Sequence, residues 1–205
     1  MPDLDAPVVH SGDFMPNETR GDWSVEPKFQ EDWLRRRMKK LKEWLGDRPF
    51  LFVAGNHDFL EPERVEDLLK AGGIRAVNVT KKLITWEDRT FYGIPFIPYL
   101  QGEWNWERRS QDMWQEFRWI QDELKMADVL LAHCPPSMIL DLQRGNIHLY
   151  NFLFYESDHR VKAVLSGHVH GGFGRQTIQE MEFCNSAYLD EERQPREIGY
   201  QVVEV

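Results

Sequence analysis

Residues 161–172 read Val-Lys-Ala-Val-Leu-Ser-Gly-His-Val-His-Gly-Gly. The apolar run Val161–Leu165 predicts a buried strand, and it passes directly into a loop that holds two histidines between glycines. Side chains two apart on extended backbone point the same way, so His168 and His170 are expected to face one cluster. Gly167, ahead of the pair, lets the backbone turn sharply.

The same design recurs three times upstream. A strand over Ala6–Ser11 ends in Gly12-Asp13, and a strand over Phe50–Ala54 ends in Gly55-Asn56-His57-Asp58. A third, Val129–Ala132, ends in His133-Cys134-Pro135-Pro136. Between them Phe29, Trp33, Leu34, Met38, Leu41, Trp44 and Leu45 recur at helical spacing up to a stop at Gly46. A short helix is expected over 62–71, a long amphipathic one over 106–126 and another within 148–158. Further strands are expected at 74–79, 82–87 and 90–94, with Asp88-Arg89 as a turn, and in the tail at 176–183 and 197–205. Alternation of strand and helix predicts an α/β layered domain. Ligands in such folds gather at the carboxyl ends of strands, so four motif-bearing ends can converge on one site.

The donor chemistry is specific. Asp offers an anionic oxygen able to bridge two cations, His a neutral nitrogen and Asn a carbonyl oxygen. That mixture suits Mn²⁺, Zn²⁺ or Fe better than Ca²⁺ or a thiolate site. Two metals about 3.5–4 Å apart can clamp a phosphate with a hydroxide held between them, and Asp13 is the natural bridging carboxylate. Taken singly, Gly-Asp and Gly-Asn-His-Asp are ordinary turn chemistry and His133 an ordinary core-edge histidine. Four such segments in this order, each at a strand end, outweigh that explanation.

Gly-Asp, Gly-Asn-His-Asp, a strand-end His and Gly-His-x-His in succession resemble the signature of the calcineurin-like metallophosphoesterase superfamily, here spread over positions 12–170. Val164–Gly174, Phe183–Ala187 and Leu131–Pro136 are most similar to the small stand-alone metallophosphoesterase-domain-containing group. The resemblance implies a four-layer α/β/β/α sandwich and metal-dependent hydrolysis of a phosphomonoester or phosphodiester by a metal-bound hydroxide. That group includes phosphodiesterases of cyclic nucleotides and small diesters. It implies Asp13 as bridging ligand, with Asn56, His133 and His168 completing one metal site and His170 serving the other. His57 resembles the histidine that contacts the phosphate and protonates the leaving group, a role suited to a pKa near neutrality.

One departure stands out. The family opens with Asp-x-His on its first strand, and none precedes Gly12 here. The expected fold therefore lacks its first strand, with one full metal site and one half site. The expectation is a single domain over 1–205, shortened at its N-terminus, whose upstream reading frame encodes an apolar run ending in Asp-x-His. His10 lies within the strand leading to Gly12 and does not substitute by pattern.

Composition narrows the partners. The 205 residues carry a net charge of −9, which disfavours non-specific nucleic-acid binding. Two cysteines, Cys134 and Cys184, form no CxxC pair, so a reducing compartment is expected. No apolar run approaches the roughly 20 residues of a membrane span, so no membrane is expected and the cytoplasm is the expected location. The basic run Arg35–Lys42 is expected to be the solvated face of an amphipathic helix rather than a strand-binding groove. Trp104, Trp106, Trp114 and Trp119 are expected mainly to pack, with Trp104 and Trp106 the better candidates for substrate contact. His148 and His159 are expected to be surface or core residues, and Cys134 part of a rigid loop. The expected partner is a small phosphate ester; the rival expectations are a scaffold that kept the fold without catalysis, and a nuclease.

Overall fold

The computed structural model describes residues 6–197 and 200–205. A three-stranded parallel sheet contains β1 (Val8–His10), β2 (Phe50–Phe52) and β3 (Ala76–Asn78), in that order. Helices α1 (Glu26–Leu45) and α2 (Pro62–Ala71) connect these strands. A six-stranded sheet follows, built from β4 (Leu83–Trp86), β5 (Arg89–Ile94), β8 (Val129–Ala132), β9 (Ala163–Ser166), β10 (Gly174–Ile178) and β11 (Met181–Asn185). Its order is β10-β11-β9-β8-β5-β4, with parallel pairing in the middle and an antiparallel hairpin at each edge. Its helices are α3 (Ser110–Met126) and α4 (Ile147–Tyr155), and β6 (Ile97–Pro98) pairs with β7 (Glu107–Arg108) in a small ribbon.

Alternation along the strands makes the four layers. Phe50 and Phe52 of β2 face one way and join Leu34 and Leu45 of α1 and Val65, Leu68 and Leu69 of α2 in an outer core. Leu51 and Val53 face the other way and meet Phe91, Val129, Leu131 and Ala163 between the two sheets. Leu130, Ala132 and Val164 then cover the far side, against Met113, Phe117, Ile120 and Leu124 of α3 and Leu149, Phe152 and Leu153 of α4. Side chains of successive strand residues point to opposite faces, so a strand buried on both sides reads as a continuous apolar run. The layering is α/β/β/α, as expected. The sheets are stitched at one corner, where Thr80 bridges Gly93 and the Thr80 hydroxyl accepts the Ala54 N–H at 3.0 Å. Among the described residues β1 has one strand neighbour, β2.

Several boundaries differ from expectation for local reasons. The long helix starts at Ser110 rather than 106, because Glu107 and Arg108 pair with Ile97 and Pro98. The expected 176–183 strand is a hairpin that turns at Gln179 and Glu180, both at positive φ. The turn before β5 falls at Glu87, whose φ is 52°, and Asp88; Arg89 is already in the strand. Of the expected 197–205 strand, residues 198–199 lie outside the described residues and 200–205 form no strand. Helix α1 ends at Gly46, which takes φ 61° and donates its N–H to the Lys42 carbonyl. Among the described residues no helix is long and apolar enough to cross a membrane.

Candidate metal centre

The carboxyl ends of β1, β2, β8 and β9 lead into the four motif loops, which meet. Ligand atoms of Asp13, His133 and His168 lie within 4.8 Å of one another. The His133 ring is fully buried and donates its Nδ1–H to the Ser11 carbonyl at 2.7 Å. Its Nε2 then lies 2.9 Å from Asn56 Oδ1 and 3.4 Å from Asp13 Oδ1. The His168 ring stands edge-on to it, with centroids 4.9 Å apart. These donor atoms crowd one point, where a single cation could be held by all of them. A backbone carbonyl fixing the far nitrogen of the imidazole is also what a metal-binding histidine needs. The donor set therefore fits a divalent transition metal.

Backbone geometry brings the loops this close. Asp13 and His168 both take left-handed conformations, with φ 57° and 61°, which non-glycine residues adopt at a cost. Gly12 turns at φ 98°, as expected of a turn glycine. Gly55 does not turn through positive φ; its role is space. A Cβ there would lie 2.3 Å from Asp13 Oδ1 and 2.6 Å from His133 Cε1. Gly167 is likewise a close approach, with Ser11 Oγ 2.8 Å from where its Cβ would be.

His57 stands beside the cluster. Its N–H donates to Asp13 Oδ1 at 2.8 Å, its Nδ1–H donates to Asn17 Oδ1 at 2.6 Å, and Asn17 Nδ2 donates to its carbonyl at 3.1 Å. That pairing leaves Nε2 as the nitrogen free to meet a ligand. Gln30, fully buried on α1, donates to the His57 carbonyl at 2.6 Å and accepts the N–H groups of Phe59 and Leu60 at 2.8 and 3.0 Å. Asp58 accepts the N–H groups of Asp13, Gly55 and Met15 at 2.9, 2.8 and 3.2 Å, tying the first two loops together.

The electrostatics suit cation binding. Burial raises the Asp13 pKa, but the nearby imidazoles of His133, His57 and His168 outweigh it, so the carboxylate is held ionised. Burial and then the Asp13 charge push Asp58 up, against its three N–H donors. Burial, then His133, lowers His168 to about 3, leaving a neutral imidazole whose lone pair is available. Burial also lowers His57; Asp13 opposes, and His133 and the positive charge of Arg193 add to the lowering.

The other candidate residues fall outside the Asp13–His133–His168 triad. His170 is not in the triad; its Nδ1–H donates to the Asp190 carbonyl at 3.0 Å. His10 packs edge-on to Phe14, accepts the Gly12 N–H on Nδ1 at 3.2 Å, and is lowered to about 4 by burial. Cys134 is buried and its thiol pushed far up by that burial, which suits a structural residue and not a nucleophile. His159 bonds to the Leu153 carbonyl of α4 and accepts the Val161 N–H. Trp104 packs on His57, with ring centroids 4.2 Å apart, and Trp106 on Phe96. Trp114 and Trp119, expected to pack, stand 52% and 71% exposed on α3. The basic run lies on the exposed face of α1, where Arg35 pairs with Glu31 and Lys39 with Glu43.

Three residues of the site escaped the sequence reading. Asp58 stands inside the quoted Gly-Asn-His-Asp motif without a role. Gln30 carried a signal, a polar side chain four residues before Leu34 on the apolar face of its helix. Asn17 sits in a loop of like residues and had none.

Residues 6–172 match the family of calcineurin-like phosphoesterases. The chain is 26% identical over 199 residues to "Metallophosphoesterase domain-containing protein 1" of Homo sapiens, covering 82% of this chain and 59% of that one. It is 24% identical over 190 residues to "Probable rhamnogalacturonate lyase C" of Emericella nidulans, covering 84% of this chain and 17% of that one. It thus spans less than two thirds of the length of either relative. Among solved structures, TT1561 of Thermus thermophilus superposes with a TM-score of 0.57 at 16% identity, over 90% of this chain and 77% of that one, a likeness of fold.

Proposed function

Since the chain belongs to the calcineurin-like phosphoesterases, a family that binds divalent metals, we propose that it hydrolyses a phosphomonoester or phosphodiester with the help of Mn²⁺, Zn²⁺ or Fe. The observation that carries this reading is the convergence of His133 Nε2 on the oxygens of Asn56 and Asp13 beside His168. Asp13, Asn56, His133 and His168 hold the metal, and His170 serves a second one. When bound, a divalent cation supplies Lewis-acid charge for the phosphoryl oxygens and lowers the pKa of water.

The chain's own residues do the rest. Asn17 fixes the His57 tautomer, so Nε2 is the nitrogen presented to the substrate. Burial lowers its pKa, and the negative charge of a bound phosphate ester, like that of Asp13, opposes the lowering. His57 then takes up a proton beside the phosphate and gives it to the leaving oxygen, a step typically worth about 10²–10⁴ in rate. Asp58 and Gln30 hold the loops in register and touch no substrate atom.

A direct test measures Mn²⁺-dependent turnover of a phosphodiester and its loss in EDTA, beside metal content. His57→Ala is expected to lose turnover and keep its metal. Parallel loss of both would make His57 a ligand and overturn its role. The rival reading is a scaffold of the same fold without catalysis. One tightly bound metal per chain with no turnover on any phosphate ester would support it.

A further inference from the structure

Helices α3 and α4 pack side by side on the six-stranded sheet, and the seam between their outer flanks is an open groove of about 370 Å³. That is the size of a site for a small ligand. Helical spacing builds it. Trp114 and Arg118, one turn apart on α3, form one wall, and His148 and Tyr155, two turns apart on α4, form the other. Phe117 and Phe152 make the floor. The floor is buried, whereas Trp114 and Tyr155 stand 52% and 77% exposed at the mouth. The His148 ring is held in place, with Nε2 3.3 Å from Ser110 Oγ and its centroid 6.1 Å from that of Phe117. Two helical turns from His148 to Tyr155 make the groove about 10 Å long, which suits a molecule of one or two rings and is short for a partner helix.

The groove also carries one uncompensated charge. Glu156, the carboxylate of its lining, is ion-paired with Lys125 at 3.9 Å. Arg118 has no carboxylate partner among the described residues, and its guanidinium lies over the Trp114 ring, 5.4 Å from the centroid. A cation left unpaired beside aromatic walls attracts an anion locally, even on a chain of net charge −9. A guanidinium fork matches both oxygens of a carboxylate, and aromatic faces take apolar rings. We propose that the groove between α3 and α4 is a second ligand site, which takes a small aromatic carboxylate. Its ring lies over Phe117 and Phe152 between Trp114 and Tyr155, and its carboxylate meets Arg118. This site is independent of the phosphoesterase reading, because no groove residue belongs to the metal cluster.

A matched pair of probes, 1-naphthoate and the neutral 1-naphthalenemethanol, tests this by heteronuclear NMR of the full chain. The titrations are made in EDTA, so that no metal ion captures the carboxylate. The acid is expected to shift the backbone N–H resonances of Phe117 and Phe152 and the Trp114 indole, with a Kd of about 0.1–1 mM for a ligand this small. The alcohol, which keeps the rings and lacks the charge, should bind there about tenfold more weakly. Arg118→Gln should bring the acid down to the affinity of the alcohol. Trp114→Ala should weaken both, followed at Phe117 and Phe152. Both altered side chains lie on the helix surface, so the fold is expected to survive, and retained resonance dispersion checks that. Trp119→Ala, on the other flank of α3, should change neither affinity. Equal binding of acid and alcohol by the unaltered chain, or an advantage for the acid that survives Arg118→Gln, would overturn the site. Shifts from 1-naphthoate that spare the groove, or no shifts at concentrations well above that Kd range, would do the same.

Discussion

Asn17 and His57 are joined twice: Asn17 Oδ1 takes the imidazole Nδ1–H at 2.6 Å, and Asn17 Nδ2 donates to the His57 carbonyl at 3.1 Å. One small side chain thereby sets both the orientation of the ring and its tautomer. Loss of a group that orients a site imidazole typically costs about 10–100-fold in activity. Asn17→Ala is expected to lower kcat by that order with little change in KM and with metal content retained, as read by steady-state kinetics beside atomic absorption. An unchanged kcat would show that Asn17 plays no part in placing His57.

His133 is the centre of the ligand cluster, and its loss should be read in metal rather than in fold. His133→Ala is expected to bind Mn²⁺ at least tenfold more weakly and to lose turnover in step, a second-site ion notwithstanding. Retained stoichiometric metal at unchanged affinity would remove His133 from the ligand set.

Gly55 is required for space. Alanine there would press its methyl group on Asp13 Oδ1 and His133 Cε1. Overpacking of this kind costs about 1–3 kcal/mol. Gly55→Ala is expected to lower stability by that amount in urea and to weaken Mn²⁺ binding, while the far ultraviolet circular dichroism is kept. Full metal affinity in a folded Gly55→Ala chain would contradict the close approach of the two loops.

Gln30, buried on α1, bonds four backbone groups, the carbonyls of Pro16 and His57 and the N–H groups of Phe59 and Leu60. Buried groups left unpaired cost about 1–3 kcal/mol each. Gln30→Leu, which keeps the volume and removes the bonds, should therefore destabilise the chain by at least about 2 kcal/mol and reduce turnover through the displaced His57 loop. Urea unfolding gives the first quantity, and a stability equal to that of the unaltered chain would refute the clamp.

The pH dependence of the metal-free chain follows from His10. Burial lowers its pKa in the folded state from 6.5 to about 4. Between those values the unfolded chain binds more protons than the folded one, so stability rises with pH. The contribution is fully present above 6.5 and is lost as the pH falls toward 4. In EDTA, the drop in Tm between pH 7 and pH 4.5 is expected to be smaller for His10→Gln than for the unaltered chain. An equal drop would assign the acid sensitivity to other groups, His168 first among them.

Local chemistry made much of the molecule legible in the linear chain. Apolar runs that end in Asp, Asn or His are readable residue by residue, because strand period and ligand type are properties of short segments. They determined the layered α/β class, the strands leading to Asp13, Asn56, His133 and His168, and the donor mixture at their ends. What only the tertiary structure decided concerns approach between segments far apart in sequence. Gly55 looks like a turn glycine beside its neighbours and proves to be a spacer only where Asp13 and His133 come against it. His168 and His170 were read as facing one way on extended backbone, but the left-handed φ of His168 and the short 3₁₀ turn at His170–Gly172 break that alternation, and His170 leaves the triad. Asn17, Gln30 and Trp104 acquire their places from packing against His57 across 40, 27 and 47 positions of chain. A hydrogen bond or a ring contact between such partners depends on how two layers are set against each other, and no window along the sequence contains both ends of it.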